Sequence, residues 1–177
     1  MVDGVVIDSA ARVRPQLLSQ ALAAWRAHPQ ARRDRIAVAD FAKASSAPRL
    51  YFVDLKTGDV EAVRTAHGKG SDPAHKGVAT SFSNVAGSNA TSLGTYLTGA
   101  RYFGAHGLSL YLDGLDATNS NARARAIVLH AARYMTPAFI ATNGVPGRSL
   151  GCFVVAPEEV SRAVTWLEGG VLLYAGA

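Results

Sequence analysis

Residues 49–66, RLYFVDLKTGDVEAVRTA, hold the fold class of this chain in one stretch. Two runs rich in β-branched and aromatic residues flank the polar, glycine-containing KTGD, so the stretch reads as a β-hairpin with Lys56–Asp59 as its turn. Towards the C-terminus the same pattern recurs. LGTYLTG at 93–99, LSLYLDG at 108–114, AIVLH at 126–130, CFVV at 152–155 and VLLYA at 171–175 are short strand-forming runs cut by glycine and polar turns. Two short helices interrupt them: TPAFIATNG opens with Thr136 as a cap and Pro137 in the first turn, and APEEVSRAVTWLEGG carries Pro157 and acids at its start and Gly169 at its end. Towards the N-terminus, VRPQLLSQALAAWRAH at 13–28 places Leu17, Leu18, Ala21, Leu22, Ala24 and Trp25 at helical spacing behind Pro15, which predicts an amphipathic helix. The basic stretch ARRDRIAVAD at 31–40 reads as the solvated end of a helix. Strands outnumber helices, and the connections look too short for regular crossovers between parallel strands. The expected fold is therefore α+β, mainly β: an antiparallel β-sandwich or barrel-like domain with peripheral helices.

Composition bounds what such a fold can do. The chain has 177 residues, 49% apolar and 18% charged, enough to bury a core as one domain without staples. Its mean hydropathy of +0.10 argues against disorder. A formal charge of +5 suits an anionic partner, but the Lys and Arg residues are scattered, and neither an arginine-rich run nor an aromatic platform motif points to nucleic acid. No run of 18 apolar residues exists, so no membrane span is expected. The opening MVDGVVIDSA has neither a basic n-region nor an apolar h-region and does not read as a secretory signal.

The single cysteine, Cys152, lies in RSLGCFVV and excludes a disulfide framework. A free cysteine is commonly a small buried hydrophobe. A nucleophilic one needs a basic partner and backbone N–H donors for the oxyanion formed on attack at a carbonyl. SLGC offers both settings: Gly151 permits a tight turn and close approach, the N–H groups of Leu150, Gly151 and Cys152 can face one concavity, and Ser149 has a hydroxyl to support the loop or an imidazole. Among the five histidines, His28, His67 and His75 fall at a helix end, a strand end and a glycine-rich loop, where solvated or singly bonded roles are the default. His130 closes the apolar run AIVLH, so a strand would deliver its imidazole to the rim of the sheet, a rigid placement for a general base. His106, at the mouth of another strand, would line the same cleft. One cysteine with dispersed histidines, no HExxH and no paired Cys spacing leaves no expected metal site.

AIVLHAARYMTP followed by NGVPGRSLGCFVV resembles the active-site signature of the murein L,D-transpeptidase catalytic domain family, in which a histidine precedes a Ser/Thr-x-Gly-Cys motif by a short interval. RLYFVDLKTGDVEAVRTAHGKG, ATSFSNVAGSNATSLGTYLTG, HGLSLYLDGLD and NARARAIVLHAA are similar to successive blocks of the same family. The resemblance covers about residues 40–177, which leaves 1–39 as an N-terminal helical extension. It implies a cysteine acyltransferase acting on peptidoglycan tetrapeptide stems, with no metal and no organic cofactor, in a periplasmic or extracytoplasmic location that a signal peptide ahead of residue 1 would serve. Cys152 would attack and form a thioester. His130 would move the proton, oriented by a backbone carbonyl, and the N–H groups of Gly151 and Cys152 would hold the oxyanion. The same residues would serve an L,D-carboxypeptidase or endopeptidase, and a peptidoglycan-binding module without catalysis is the reading from another class. Many relatives carry a histidine where this chain has Leu150, and an Asn or Arg where it has Val154. Pro and Gly are common where Phe153 and Ala131 stand. Arg148 is the nearest replacement cation for a substrate carboxylate. The resemblance further implies acylation of Cys152 by carbapenems, and an imidazole-activated thiol is expected to alkylate faster than a free cysteine at neutral pH.

Overall fold

In the computed structural model, which describes residues 1–177, the 49–66 hairpin is the edge of a larger sheet. Its arms, β2 (Leu50–Asp54) and β3 (Val60–Val63), pair antiparallel across a turn in which Asp54 Oδ1 accepts the Lys56 and Thr57 N–H groups at 2.7 and 3.0 Å. The remaining strands are β1 (Arg35–Asp40), β4 (Gly94–Gly104), β5 (Gly107–Gly114), β6 (Val128–Ala131), β7 (Phe153–Val155) and β8 (Leu172–Gly176). All eight form one sheet in the order β3-β2-β1-β8-β4-β5-β6-β7. Three helices decorate it: α1 (Pro15–Ala27), α2 (Pro137–Asn143) and α3 (Pro157–Leu167). The helix starts follow the sequence logic, with a proline in each first turn and Thr136 Oγ1 accepting the Phe139 N–H at 3.2 Å.

One expectation needs correction. ARRDRIAVAD does not end a helix: Arg35–Asp40 is β1, a strand inside the sheet with its last five residues buried. Ile36 and Val38 face one core and Ala37 and Ala39 the other, so burial on both faces erased the alternation by which a strand is recognised. The sheet is mainly antiparallel, as expected, with two parallel pairs. β1 runs parallel to β8, and β6 runs parallel to β7 across a connection that carries α2.

The sheet coils until its ends approach each other. Beyond β3 the chain runs to the free edge of β7, where the Ala66 N–H donates to the Val154 carbonyl at 2.9 Å and the Ser149 N–H donates to the His67 carbonyl at 2.9 Å. One core lies inside this curve, where Phe41, Tyr96 and Phe153 meet. The Tyr96 and Phe153 rings lie edge to face with centroids 5.3 Å apart, and α3 packs against β5 and β6. On the opposite face, α1 buries Leu17, Ala21, Leu22 and Trp25 against Ile36, Val38 and Leu172. The division expected at residue 39 thus falls inside β1, and α1 covers one face of the sheet.

Candidate active site

Phe153 is fully buried, and its neighbour Cys152 stands where β7 begins, half-buried at the wall of a cleft of about 330 Å³. The cleft is lined by His106, Arg125, Ala126, His130, Tyr134, Arg148, Ser149, Leu150 and Cys152. Every side chain that the sequence nominated for this site therefore reaches it, and Gly151 lies in its wall between Leu150 and Cys152.

The loop ahead of the cysteine is held by its own hydroxyl. Ser149 Oγ donates to the Cys152 carbonyl at 2.8 Å and accepts the Gly151 N–H at 3.1 Å. Gly151 has φ +122°, and a Cβ there would lie 2.9 Å from the Ala90 carbonyl oxygen, so the position requires glycine. This arrangement changes the expected oxyanion donors. The Gly151 N–H is engaged by Ser149, whereas the Leu150 and Cys152 N–H groups have no acceptor in the protein. Leu150 is 60% exposed. Val154 is buried against Ala66, Met135 and Ala156, so its position does not reach the cleft.

β6 brings His130 beside this loop, with His130 and Val154 as partners across the parallel β6–β7 pair. His130 is 4% exposed, and its Nδ1 lies 3.0 Å from the Ala131 carbonyl oxygen. A carbonyl can only accept, so Nδ1 carries the proton and Nε2 is left with its lone pair. No hydrogen bond joins the imidazole to the thiol: Cys152 Sγ instead donates to the Ala126 carbonyl at 3.5 Å. Burial pushes the Cys152 thiol up, against the opposing pull of the Val128 N–H and the Arg125 guanidinium. Burial likewise holds His130 below the ordinary histidine value, opposed by its bond to Ala131 and assisted by His106. The resting pair is therefore neutral thiol and neutral imidazole, not a preformed thiolate and imidazolium. Faster alkylation than a free cysteine at neutral pH, expected from the sequence, does not follow from this geometry.

The cations divide the work. Arg148 Nη1 donates to the carbonyls of Asp72 and Pro73, which fixes the side chain while its Nε and Nη2 edge makes no protein hydrogen bond. Arg125 was missed in the sequence. Its Nη1 donates to the Ser83 carbonyl and Ser92 Oγ, and its Nη2 to the Ala90 carbonyl and Ser88 Oγ, so this one guanidinium ties the 83–92 segment to the thiol wall. No strand alternation marked it, because residues 117–126 form turns ahead of β6. Arg123 turns outward over Tyr111, at 4.1 Å from its ring centroid, and Arg125 turns inward. Tyr134 was also missed. Burial and then the nearby thiol push its hydroxyl up to about 12, so it faces the cleft as a neutral donor.

Behind the loop lies a second layer that sequence reasoning took for a solvated strand end. His67 is fully buried: Nδ1 accepts from Arg49 Nη2 at 2.8 Å and Nε2 donates to Asp72 Oδ2 at 3.2 Å. Arg49, equally buried, also donates to the carbonyls of Lys43 and Thr65. Burial works against the Asp72 carboxylate, but the N–H groups of Lys76 and Gly77 and the His67 ring outweigh it and keep the group below its ordinary value. His75 closes the far side, its Nε2 donating to the Pro146 carbonyl at 2.8 Å. No group of three or more His, Cys, Asp or Glu side chains gathers at metal-holding distance, and no helix is long and apolar enough to cross a membrane.

A family model described as the L,D-transpeptidase catalytic domain matches residues 9–175, a match that begins ahead of α1. The chain belongs to that family of enzymes. Among solved structures, it is similar to an L,D-transpeptidase from Mycobacterium smegmatis, at 15% identity with a TM-score of 0.47 over 81% of this chain and 59% of that one. It is similar to the helical cell shape determining protein Pgp2 from Campylobacter jejuni, at 11% identity with a TM-score of 0.48 over 81% of this chain and 47% of that one. The L,D-transpeptidase LdtMt1, solved in complex with imipenem, gives 14% identity and a TM-score of 0.47 over 81% of this chain and 59% of that one. The chain spans less than two thirds of the length of each of these structures. No curated protein matches it.

Proposed function

We propose that this protein is a cysteine L,D-transpeptidase of the bacterial envelope that transfers an acyl group from a peptidoglycan tetrapeptide stem through a thioester on Cys152. One observation carries the reading: Cys152 and His130, delivered by neighbouring parallel strands, open on one cleft, and His130 keeps its Nε2 lone pair free because Nδ1–H is bound to the Ala131 carbonyl.

The neutral resting pair makes proton transfer concerted with attack. As the sulfur leaves the Ala126 carbonyl and forms its bond to the carbonyl carbon that follows the L-centre of the third stem residue, His130 Nε2 takes the thiol proton. The oxyanion falls to the Leu150 and Cys152 N–H groups, with the Tyr134 hydroxyl as a further donor. His130 then returns the proton to the nitrogen of the departing D-alanine, the C–N bond breaks, and a thioester remains. An amine from a second stem attacks the thioester, His130 accepts its proton, and the new amide forms as the sulfur is released and reprotonated. Arg148, through its free Nε and Nη2 edge, holds the donor's terminal carboxylate. Arg125 is a fixed positive charge beside the thiol.

Incubation with defined tetrapeptide muropeptides, with products read by mass, tests this. Cross-linked dimers with release of D-alanine are expected. Trimmed tripeptides alone would assign the same site to an L,D-carboxypeptidase, and unchanged substrate would overturn the enzymatic reading.

A further inference from the structure

His130 carries a second imidazole on its face. His106 sits in the two-residue turn between Gly104 and Gly107 that joins β4 to β5, and its ring lies nearly parallel to that of His130, with centroids 4.2 Å apart and planes 15° from each other. The residue itself is exposed, yet the ring beneath it is 4% exposed. Nearby at the same hairpin tip, Phe103 is 81% exposed, so the hairpin leaves an apolar ring in water and sets a titratable one on the candidate base.

The geometry points to His106 as a positioning residue that keeps His130 neutral, by covering its face and by opposing a second positive charge in the stack. The inference rests on the proposed role of His130 as the base. The other groups facing His130 do not vary in charge in the same range. Arg125, from the segment ahead of β6, and Arg148, from the loop ahead of Cys152, are arginines and carry fixed charge. Tyr134, from the turn that follows β6, stays neutral up to about 12. Cys152 is raised by burial, and the Ala131 carbonyl engages only Nδ1. Histidine is the side chain whose charge ordinarily changes between pH 5 and 8, and His106 is the one other histidine lining this cleft. Because the base must be neutral to take the thiol proton, the stack extends the working range towards acid.

The test follows the ring resonances of His130 by NMR titration in the parent protein, His106→Ala and His106→Phe. Alanine removes both the cover and the charge; phenylalanine keeps a stacked ring without the charge. Both variants are expected to raise the His130 midpoint, by about half to one pH unit for alanine, the order of a like-charge effect at this separation when one of the two rings faces water. The acid limb of Cys152 acylation should move up with it. An unchanged or lowered His130 midpoint in either variant overturns the inference. Ring titration needs no substrate, so a parent protein that ignores muropeptides would overturn the proposed function while leaving this coupling to be read on its own.

Discussion

At the scale of single residues, the proposed mechanism separates a group that reacts, one that moves a proton and two that supply charge. Arg148→Ala removes a charge-assisted contact of about 1.5–3 kcal/mol. Turnover efficiency on muropeptides should then fall roughly ten- to a hundred-fold. Reaction of Cys152 with a small neutral alkylating agent should barely change, because that reagent has no carboxylate. Equal losses in both assays would make Arg148 a loop anchor through Asp72 and Pro73 alone. Arg125 predicts the opposite pattern: Arg125→Gln should raise the thiol midpoint in a pH–alkylation profile, and Arg125→Lys, which keeps the charge, should raise it less. A carbapenem should acylate Cys152, since its strained lactam presents the same carbonyl chemistry, and the mass shift should vanish in Cys152→Ala. These roles were legible to different degrees. Cys152, His130 and Arg148 stand out by residue type and spacing, whereas Arg125 is one of several scattered arginines in a turn ahead of β6, and nothing local sets it apart.

At the scale of elements, the loop ahead of β7 and the helix α1 carry the sharpest consequences. Gly151→Ala forces a Cβ against the Ala90 carbonyl at a φ of +122°, a strain of about 1–3 kcal/mol. Acylation of Cys152 should be lost well before the fold, which circular dichroism beside a carbapenem mass assay would read; full acylation in the variant would mean that the loop geometry is not required. Leu17, 2% exposed, wedges α1 against β8, where a Cβ at Gly176 would lie 2.4 Å from Leu17 Cδ1. Leu17→Ala should destabilise the whole domain by about 2–5 kcal/mol in a single denaturant transition. An unchanged midpoint would mark α1 as a detachable extension. The hairpins and helix starts were readable because turn residues and prolines act locally. β1 was not, because a strand buried on both faces behind an arginine-rich stretch has no alternation, and its parallel partner β8 lies at the other end of the chain. The engagement of the Gly151 N–H by Ser149 was not legible for a related reason: it depends on the loop's fold rather than on its composition.

At the scale of the whole molecule, the curled sheet brings its two ends together at the cysteine loop, and the buried Arg49–His67–Asp72 chain braces that seam. Burial, then the Arg49 charge, pull His67 down to about 4 in the folded chain, against roughly 6.5 when unfolded. The unfolded chain therefore takes up this proton first as pH falls. Stability should be complete above roughly pH 6.5 and decline towards pH 4, by up to about 3 kcal/mol from this ring. Denaturant midpoints of the parent should drop more steeply over that window than those of His67→Gln, which retains a donor and an acceptor but does not titrate; equal slopes would place the acid sensitivity elsewhere. The central claim is that the stem peptide is carried on one sulfur atom. Its most direct measurement is peptide mapping of protein quenched in acid within seconds of mixing with a tetrapeptide donor and no acceptor. The account predicts that the peptide containing Cys152 gains the donor stem less its terminal D-alanine, that the label is released by an added amine, and that Cys152→Ala shows none. Product formation by the parent without label on Cys152, or the same label and turnover in Cys152→Ala, would contradict it.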